Sequence, residues 1–451
     1  MDILEKLINP PTTGHVALLN IIQVIAFLIF LPFVGMVFGG TILSVFYRSK
    51  FKKTNNPLYL KFSNDIIDKL TISRNVGWGM GIIPLITITV IYAQFLYGAK
   101  VISVALLLVS VILFTIAFVL IYNYKNTFRI ENILSSLKNS INQNGDYGKI
   151  PGEVKEYEIN ILVSKVRYGN LGMSVLIIAS FIFIGSITVA MDMGEWQNVT
   201  GVYSLLLNGN IWLNFLYFVI ASFAITGAAI LYFFFVWQGG LKNMDDEYKV
   251  YSKKVASYIS LISSMLLPVF LILNFIFQPQ TSLSSGNFIL AGLSVISILF
   301  VCNLLYASIK NSEINYSGAV LFLIFITFSL TIIQQQIAFG NSIKTHLYTV
   351  TNQADEEKKK LTEKTVPVAE INPEEIFNTK CIACHKFDVK LVGPPYKETV
   401  PKYNGDVKKL SAYIYNPVKV NPDYPPMPNQ GLKEKEAEAL AQWLIQKVSG
   451  K

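Results

Sequence analysis

The sequence predicts an all-α protein, in which a polytopic transmembrane helical bundle is followed by a small all-α domain. Of its 451 residues, 52% are hydrophobic and only 15% are charged. This composition is too apolar for an ordinary soluble protein. The apolar residues come in long runs, and the composition changes abruptly after residue 337. The chain is therefore predicted to be an integral membrane protein with a separate C-terminal domain.

Eight apolar stretches are long enough to cross a membrane. An α-helix rises about 1.5 Å per residue, so roughly 20 apolar residues cross about 30 Å of hydrocarbon. The predicted spans are 16–47, 76–97, 101–124, 171–192, 211–237, 255–277, 287–309 and 316–337.

The distribution of Lys and Arg predicts the orientation of these spans. Positive charges are concentrated between the first and second spans and between the third and fourth, and Lys residues also follow the fifth and seventh spans. The alternate connections carry only Lys100. Because cytoplasmic loops hold an excess of Lys and Arg, both termini are predicted to face outward. The formal net charge of +9 follows from these loops, so the sequence predicts contact with membrane lipid and no nucleic-acid partner.

Two segments outside the spans allow more than one interpretation. Residues 57–72 place apolar side chains near one helical face, which is typical of an interfacial helix, although a solvated loop is an alternative. Residues 338–372 are rich in charge and form a predicted linker. The predicted domains are thus a membrane domain over 1–337, the linker over 338–372 and a soluble domain over 373–451.

The soluble domain contains CIACH, with Cys381, Cys384 and His385. A zinc site needs a second pair of ligands, but Cys302 lies in a predicted span and the two other histidines flank the bundle. A thioredoxin-like dithiol needs a βαβ context, which the sequence does not predict. It also does not require the adjacent histidine. Covalent haem attachment uses every position, because two thiols bind the haem vinyl groups and the following histidine binds the iron.

A second axial ligand is expected farther along the chain. The proline-rich stretch NPDYPPMPNQGL contains Met427, the only methionine after the linker. A methionine thioether is a soft ligand that raises the haem potential, and prolines restrict the backbone of the loop. We therefore expect Met427 to be the distal ligand.

Residues 373–448 resemble a class I monohaem cytochrome c domain. PEEIFNTKCIACH is similar to the first helix and attachment site of that family, LVGPPY to the loop that orients the histidine, YPPMPNQGL to the methionine loop, and KEKEAEALAQWLIQKV to the closing helix. The resemblance implies one covalent haem c on Cys381 and Cys384, with His385 and Met427 as iron ligands. It also implies that the Pro394 carbonyl orients His385.

The same resemblance implies that the first and last helices of this domain cross, with Phe377 against Leu440 and Trp443.

The resemblance also implies on which side of the membrane the domain lies. Haem is attached to CxxCH on the outer side of an energy-conserving membrane, which is the periplasmic side of a bacterial inner membrane. The positive charges give the same orientation, with the N-terminus and the cytochrome domain in the periplasm.

The membrane region itself carries fewer signals. Histidine pairs usually hold haem b between helices, but no histidine lies inside a predicted span, and only His15 and His346 flank the bundle. FLIFLPFVGMVFGG and NVGWGMGIIPLITITVIYAQFLYG resemble the large subunit of cytochrome bd-type proteins, but the haem-binding histidine of that family is missing near Phe27. The resemblance therefore implies a helical scaffold alone, and binding of haem b or quinone stays open.

Three functional hypotheses follow. The leading hypothesis is a membrane-bound c-type cytochrome that transfers electrons on the periplasmic side within a respiratory complex, with other subunits and a soluble or membrane redox partner. An alternative is a structural or quinone-site subunit of a quinol-oxidising complex. A haem-based redox sensor is the third hypothesis. The sequence leaves open whether the chain is itself an enzyme.

Overall fold

The protein is described by a computed structural model over residues 8–143, 152–241, 244–311, 316–365 and 371–450. Every regular element in these ranges is helical and none is a strand, which confirms the predicted all-α class. The chain divides into two compact units, Met1–Glu356 and Glu357–Lys451. This division falls within a helix, Lys344–Thr365, that covers much of the stretch predicted as a linker.

The helices of the described residues are numbered in chain order. They are α1 (Thr13–Thr54), α2 (Pro57–Leu70), α3 (Arg74–Phe95), α4 (Ser103–Gln143), α5 (Gly152–Met191), α6 (Val202–Leu207), α7 (Gly209–Phe235), α8 (Asp246–Phe277), α9 (Ser285–Lys310), α10 (Ser317–Ser342), α11 (Lys344–Thr365), α12 (Pro373–Ile376), α13 (Tyr396–Thr399), α14 (Val407–Tyr415) and α15 (Glu434–Ser449). In the described part of the chain, eight of them are long and apolar enough to cross a membrane, namely α1, α3, α4, α5, α7, α8, α9 and α10.

Helix α1 occupies the middle of the membrane unit and packs against α2, α3, α5, α7 and α10. Small residues allow the closest of these approaches. A β-carbon on Gly39 would lie 2.3 Å from Thr226 Oγ1, and one on Gly35 would lie 3.3 Å from Ser222 Oγ, both on α7. The GxxxG spacing of α1 therefore brings two helix backbones together.

Helix α2 forms over the segment for which an interfacial helix and a solvated loop were alternatives. Its apolar face is formed by Phe62, Ile66, Ile67 and Leu70, each of which is 0% exposed. The side chain of Asn56 caps its first turn by accepting a hydrogen bond from the Leu58 N–H. The solvated-loop alternative is therefore wrong, and α2 is part of the packed bundle.

Helices α4 and α5 are longer than the spans predicted for them, at 41 and 40 residues. At about 1.5 Å per residue each is about 60 Å long, which is twice the hydrocarbon thickness. Their extensions pair with each other, and Lys165 of α5 forms an ion pair with Glu131 of α4. The charged segment between the third and fourth predicted spans is thus largely an antiparallel helical pair.

The C-terminal unit has its own core. Phe377 contacts Trp443 and Phe387, with ring centroids 5.2 Å apart in each pair. Leu440 is buried in the same core on α15. The predicted packing of Phe377 against Trp443 is confirmed, and it joins the start of the unit to its closing helix.

Candidate functional site

A cavity of about 780 Å³ opens in the C-terminal unit. Its volume is in the range of sites for cofactors and other small ligands. All five residues predicted from the sequence line it, namely Cys381, Cys384, His385, Pro394 and Met427. The fold therefore brings together residues that are up to 46 positions apart in the chain.

The end of the first helix positions the two cysteines. Helix α12 continues into a π-helical turn, Phe377–Cys381, that ends at the first cysteine. The N–H groups of Cys384 and His385 then donate to the Cys381 carbonyl at 3.1 and 3.0 Å. Neither cysteine forms a disulfide bond within the described ranges, and burial raises the pKa of the Cys381 thiol. A tight turn thus presents two cysteines and the histidine to one cavity.

A hydrogen bond determines which His385 nitrogen is available to a ligand. His385 Nδ1 lies 3.0 Å from the Pro394 carbonyl oxygen. A carbonyl oxygen only accepts hydrogen bonds, so Nδ1 carries the proton and donates. The lone pair is then on Nε2, as required of an imidazole that binds a metal through that atom.

Gly393 is a site residue that the sequence analysis did not single out. A β-carbon at this position would lie 2.2 Å from Cε1 and 2.6 Å from Nδ1 of His385. The Gly393 N–H also donates to the Cys384 carbonyl at 2.8 Å. The loop therefore passes directly over the imidazole, and only glycine leaves room for that approach.

Tyr396 is a second residue that the sequence analysis missed. Its ring centroid lies 5.0 Å from that of His385, and the side chain is 9% exposed. Burial raises the pKa of the Tyr396 phenol above its ordinary value of 10.0. The motif LVGPPY contains both of the missed residues, Gly393 and Tyr396, and each lies beside His385 in the cavity.

The loop that carries Met427 is held to the attachment segment and its following loop. Lys380 Nζ donates to the Gln430 carbonyl at 2.9 Å. The Lys390 ammonium lies 4.5 Å from the centre of the Tyr424 ring. Met427 is half-buried between these two contacts in the chain. The loop is therefore tied on both sides of the methionine.

The donor set fits a covalently attached haem. Two cysteines lie beside an imidazole with a fixed tautomer, and a thioether comes from a separate loop of the same cavity. Thiols form thioether links to haem vinyl groups, and neutral imidazole and thioether are haem-iron ligands. The cavity thus matches the chemistry and the size of this group.

The two other histidines are in the membrane unit. His15 is exposed, and its Nδ1 lies 3.1 Å from Thr12 Oγ1. The His346 ring contacts Trp196 edge to face, with centroids 5.2 Å apart. Within the described ranges, no group of three or more His, Cys, Asp and Glu residues comes together. The sequence analysis assigned no haem-binding role to either histidine.

Comparison with known proteins gives a family for the C-terminal unit. The family "Cytochrome c" matches residues 372–446. Cytochrome c-551 of Azotobacter vinelandii is 41% identical over 76 residues, which are 16% of this chain and 93% of that protein. Cytochrome c-551 of Pseudomonas aeruginosa is 33% identical over 85 residues, which are 16% of this chain and 75% of that protein. Cytochrome c-552 of Hydrogenobacter thermophilus is 36% identical over 75 residues, which are 14% of this chain and 69% of that protein.

The family match does not include residues 1–371. The resemblance of α1 and α3 to the large subunit of cytochrome bd-type proteins therefore stays a prediction.

Proposed function

Because this chain belongs to the cytochrome c family, we propose that it is a membrane-bound electron carrier of a bacterial respiratory chain. Membership of that family means one covalently bound haem c and haem-based electron transfer. The eight apolar helices mean that the carrier is attached to a multi-pass membrane unit. Our proposal goes further than family membership in three respects. It assigns the haem ligands, the side of the membrane and a place in a respiratory complex.

Cys381 and Cys384 hold the haem in this proposal, and His385 and Met427 ligate its iron. The observation that carries the assignment is the hydrogen bond from His385 Nδ1 to the Pro394 carbonyl, which leaves Nε2 free to bind. When bound, the haem supplies an iron that changes between ferric and ferrous states. With both His385 and Met427 as ligands, the iron would suit electron transfer better than oxygen activation.

The other residues of the site keep this arrangement rigid and dry. Tyr396 and Phe387 pack their rings together at 5.6 Å beside the histidine. Gly393 brings the loop backbone against the imidazole, so the ring has little freedom to rotate. Low solvent exposure around an iron centre and a fixed proximal ligand both tune its potential.

We place the protein in the bacterial cytoplasmic membrane with its N-terminus and cytochrome domain on the periplasmic side. The excess of Lys and Arg between the first and second spans and between the third and fourth supports this orientation. Protease treatment of spheroplasts tests it. The cytochrome domain should be released in intact spheroplasts, whereas protection of the domain until lysis would contradict the orientation.

The proposed partners are membrane lipid, other subunits of a respiratory complex and a redox partner of the haem. The first helices would supply a scaffold of the kind found in cytochrome bd-type proteins, without the haem-binding histidine of that family. We propose no nucleic-acid partner, because the positive charge lies in the loops that the lipid surface would attract.

A pyridine haemochrome spectrum of the detergent-purified protein tests the cofactor content. We expect one covalent haem c per chain and no extractable haem. The Cys381→Ala/Cys384→Ala variant should lose covalent haem, while Cys302→Ala should keep it. Extractable haem b in the wild-type protein would instead point to a second centre, for which His15 and His346 are the ligands to test.

A second candidate function is a subunit that supplies the quinone site of a quinol-oxidising complex. The observation that favours it is a cavity among α1, α5, α7, α8 and α10 of the membrane unit.

A further inference from the structure

The membrane unit contains a cavity of about 90 Å³. A single water needs roughly 10–15 Å³ on this measure, so the space is large enough for a ring-sized molecule. The residues around it come from the C-terminal parts of α5 and α8 and the two residues after α8, from the N-terminal half of α7, and from α1 and the middle of α10. The cavity therefore lies near the end of the bundle at which α5 and α8 end and α7 begins.

The walls of this cavity are mainly apolar. Aromatic and aliphatic side chains such as Phe27, Phe218 and Ile184 line it. None of the described lining residues is charged. A ligand of this cavity must therefore be neutral and largely apolar, because nothing in the lining offsets the desolvation of a charge. This excludes the phosphate head group of a phospholipid and free ions.

Two lining residues carry hydrogen-bond acceptors without partners. Asn274 Oδ1 and Gln278 Oε1 are buried and accept no hydrogen bond from the part of the chain that the structure describes. Asn274 lies in the last turn of α8, which ends at Phe277, and Gln278 directly follows that helix, so both residues are at the same end of it. A buried acceptor without a partner destabilises a protein, because it has lost its hydrogen bond to water. Two of them beside one cavity indicate a ligand with hydroxyl or N–H donors.

Two neighbouring polar side chains of the lining have partners within the protein. The Asn214 side-chain amide donates to the Asn210 carbonyl at 3.1 Å. The Tyr217 hydroxyl donates to Thr331 Oγ1 at 3.4 Å. Asn274 Oδ1 and Gln278 Oε1 are the buried lining acceptors without such a partner in the described ranges, so they are the atoms that a ligand would satisfy.

We propose that this cavity binds the head group of a quinol, whose two hydroxyls donate hydrogen bonds to Asn274 Oδ1 and Gln278 Oε1. A quinol is neutral, has an aromatic ring that suits the apolar walls, and reaches the site from the membrane. The choice of a quinol over another hydroxylated ring rests on the proposed electron-transfer function. The binding site itself rests on the cavity and its acceptors.

Calorimetric titration of the full-length holoprotein in lipid nanodiscs tests the site. The protein is first reduced with dithionite under anaerobic conditions, so that binding is measured without electron transfer to the haem. The probe is decylubiquinol. We expect saturable binding to one site per chain. A signal that rises without saturation, as for partition into lipid, would overturn the proposal.

The variant Asn274→Leu/Gln278→Leu should weaken binding by about tenfold or more, since it removes both acceptors. Asn303→Leu is the matched control, because Asn303 is an exposed amide on α9 that does not line the cavity. The control should bind decylubiquinol as the wild-type protein does. Equal affinity of the double variant and the wild-type protein would overturn the assignment.

A second probe tests the same hydrogen bonds without any variant. The dimethyl ether of decylubiquinol keeps the ring and tail but has no hydroxyl donor, so the wild-type protein should bind it about tenfold more weakly or worse. Equal binding of the ether and the quinol would refute the role of the acceptors. Tight quinol binding in a protein whose haem does not accept electrons would support the site while contradicting the proposed electron-transfer function.

Discussion

Gly393 lies so close to His385 that a β-carbon at position 393 would be 2.2 Å from Cε1 of the imidazole. The next residue, Pro394, accepts the hydrogen bond from Nδ1 of the same ring. Two consecutive backbone positions therefore fix both the place and the tautomer of the histidine. A change to either contact would therefore displace His385, the proposed ligand of the haem iron.

Gly393→Ala should destabilise the C-terminal unit by about 1–3 kcal/mol, because the added carbon forces the loop or the imidazole to shift. It should also lower the amount of covalent haem per chain, measured by the pyridine haemochrome spectrum. Gly292→Ala is the control, since a β-carbon at position 292 meets nothing within 4 Å. Wild-type haem content and stability in Gly393→Ala would contradict the close approach.

Met427→Ala should leave the haem attached but lower its reduction potential by on the order of 100 mV, because axial ligation by methionine favours ferrous iron. Spectroelectrochemical titration of the purified protein measures this change. Val389→Ala, which alters an exposed side chain of the same unit, should leave the potential unchanged. A potential in Met427→Ala equal to that of the wild-type protein would refute the ligand assignment.

The eight spans and the cavity-lining residues Cys381, Cys384 and His385 could be identified from the sequence alone because both depend on local patterns. A hydrophobic run marks a span whatever its neighbours are, and CIACH carries three site residues within five positions. The contact between Gly393 and His385 depends on how a loop folds back over the attachment turn, which no spacing in the sequence encodes. Likewise, the position of Asn274 and Gln278 beside a cavity depends on how several helices pack, which their place in the sequence does not show.

The positions at which helices end were harder to predict than the presence of the helices. Hydropathy ends the third span near residue 124, yet α4 continues because a helical partner, α5, packs along its charged extension. Hydropathy reports transfer into lipid and does not report helix formation in water. The same limit applies to α11, where a charged stretch predicted as a linker is helical over Lys344–Thr365.

Arg48 is a buried cation that joins α1 to α5. It is 3% exposed, and its guanidinium donates to the Lys165 carbonyl at 2.8 Å and to Asn170 Oδ1 at 2.5 Å. It also lies over the Tyr124 ring, 5.2 Å from the centroid. Two oxygens and an aromatic face of neighbouring helices thus depend on one planar group.

Arg48→Met should lower the free energy of unfolding of the membrane unit by about 2–3 kcal/mol, because both acceptors lose their donor. Arg48→Lys should restore little of it, since one ammonium cannot reproduce the guanidinium fork. Thermal unfolding in detergent measures the change. Arg129→Met, at an exposed position of α4, serves as the control. If Arg48→Lys were as stable as the wild-type protein, the two-bond geometry would be wrong.

His346 predicts a pH dependence of stability. Burial lowers the pKa of His346 below its ordinary value of 6.5, and two nearby backbone carbonyls oppose this shift in part. Below about pH 6.5 the unfolded chain therefore binds more protons at this position than the folded protein does, so stability falls as the pH drops toward the folded pKa. His346→Phe keeps a ring against Trp196 and removes the titrating group.

The thermal midpoint of the wild-type protein should therefore decline between pH 7 and pH 5 by more than that of His346→Phe. His15→Phe is the matched control, because His15 is exposed and should leave the decline of the wild-type protein unchanged. Carboxylates titrate in the same range in all three proteins, so the informative quantity is the difference between their midpoints at each pH. A His346→Phe variant that declines as steeply as the wild-type protein would show that the buried imidazole is not responsible.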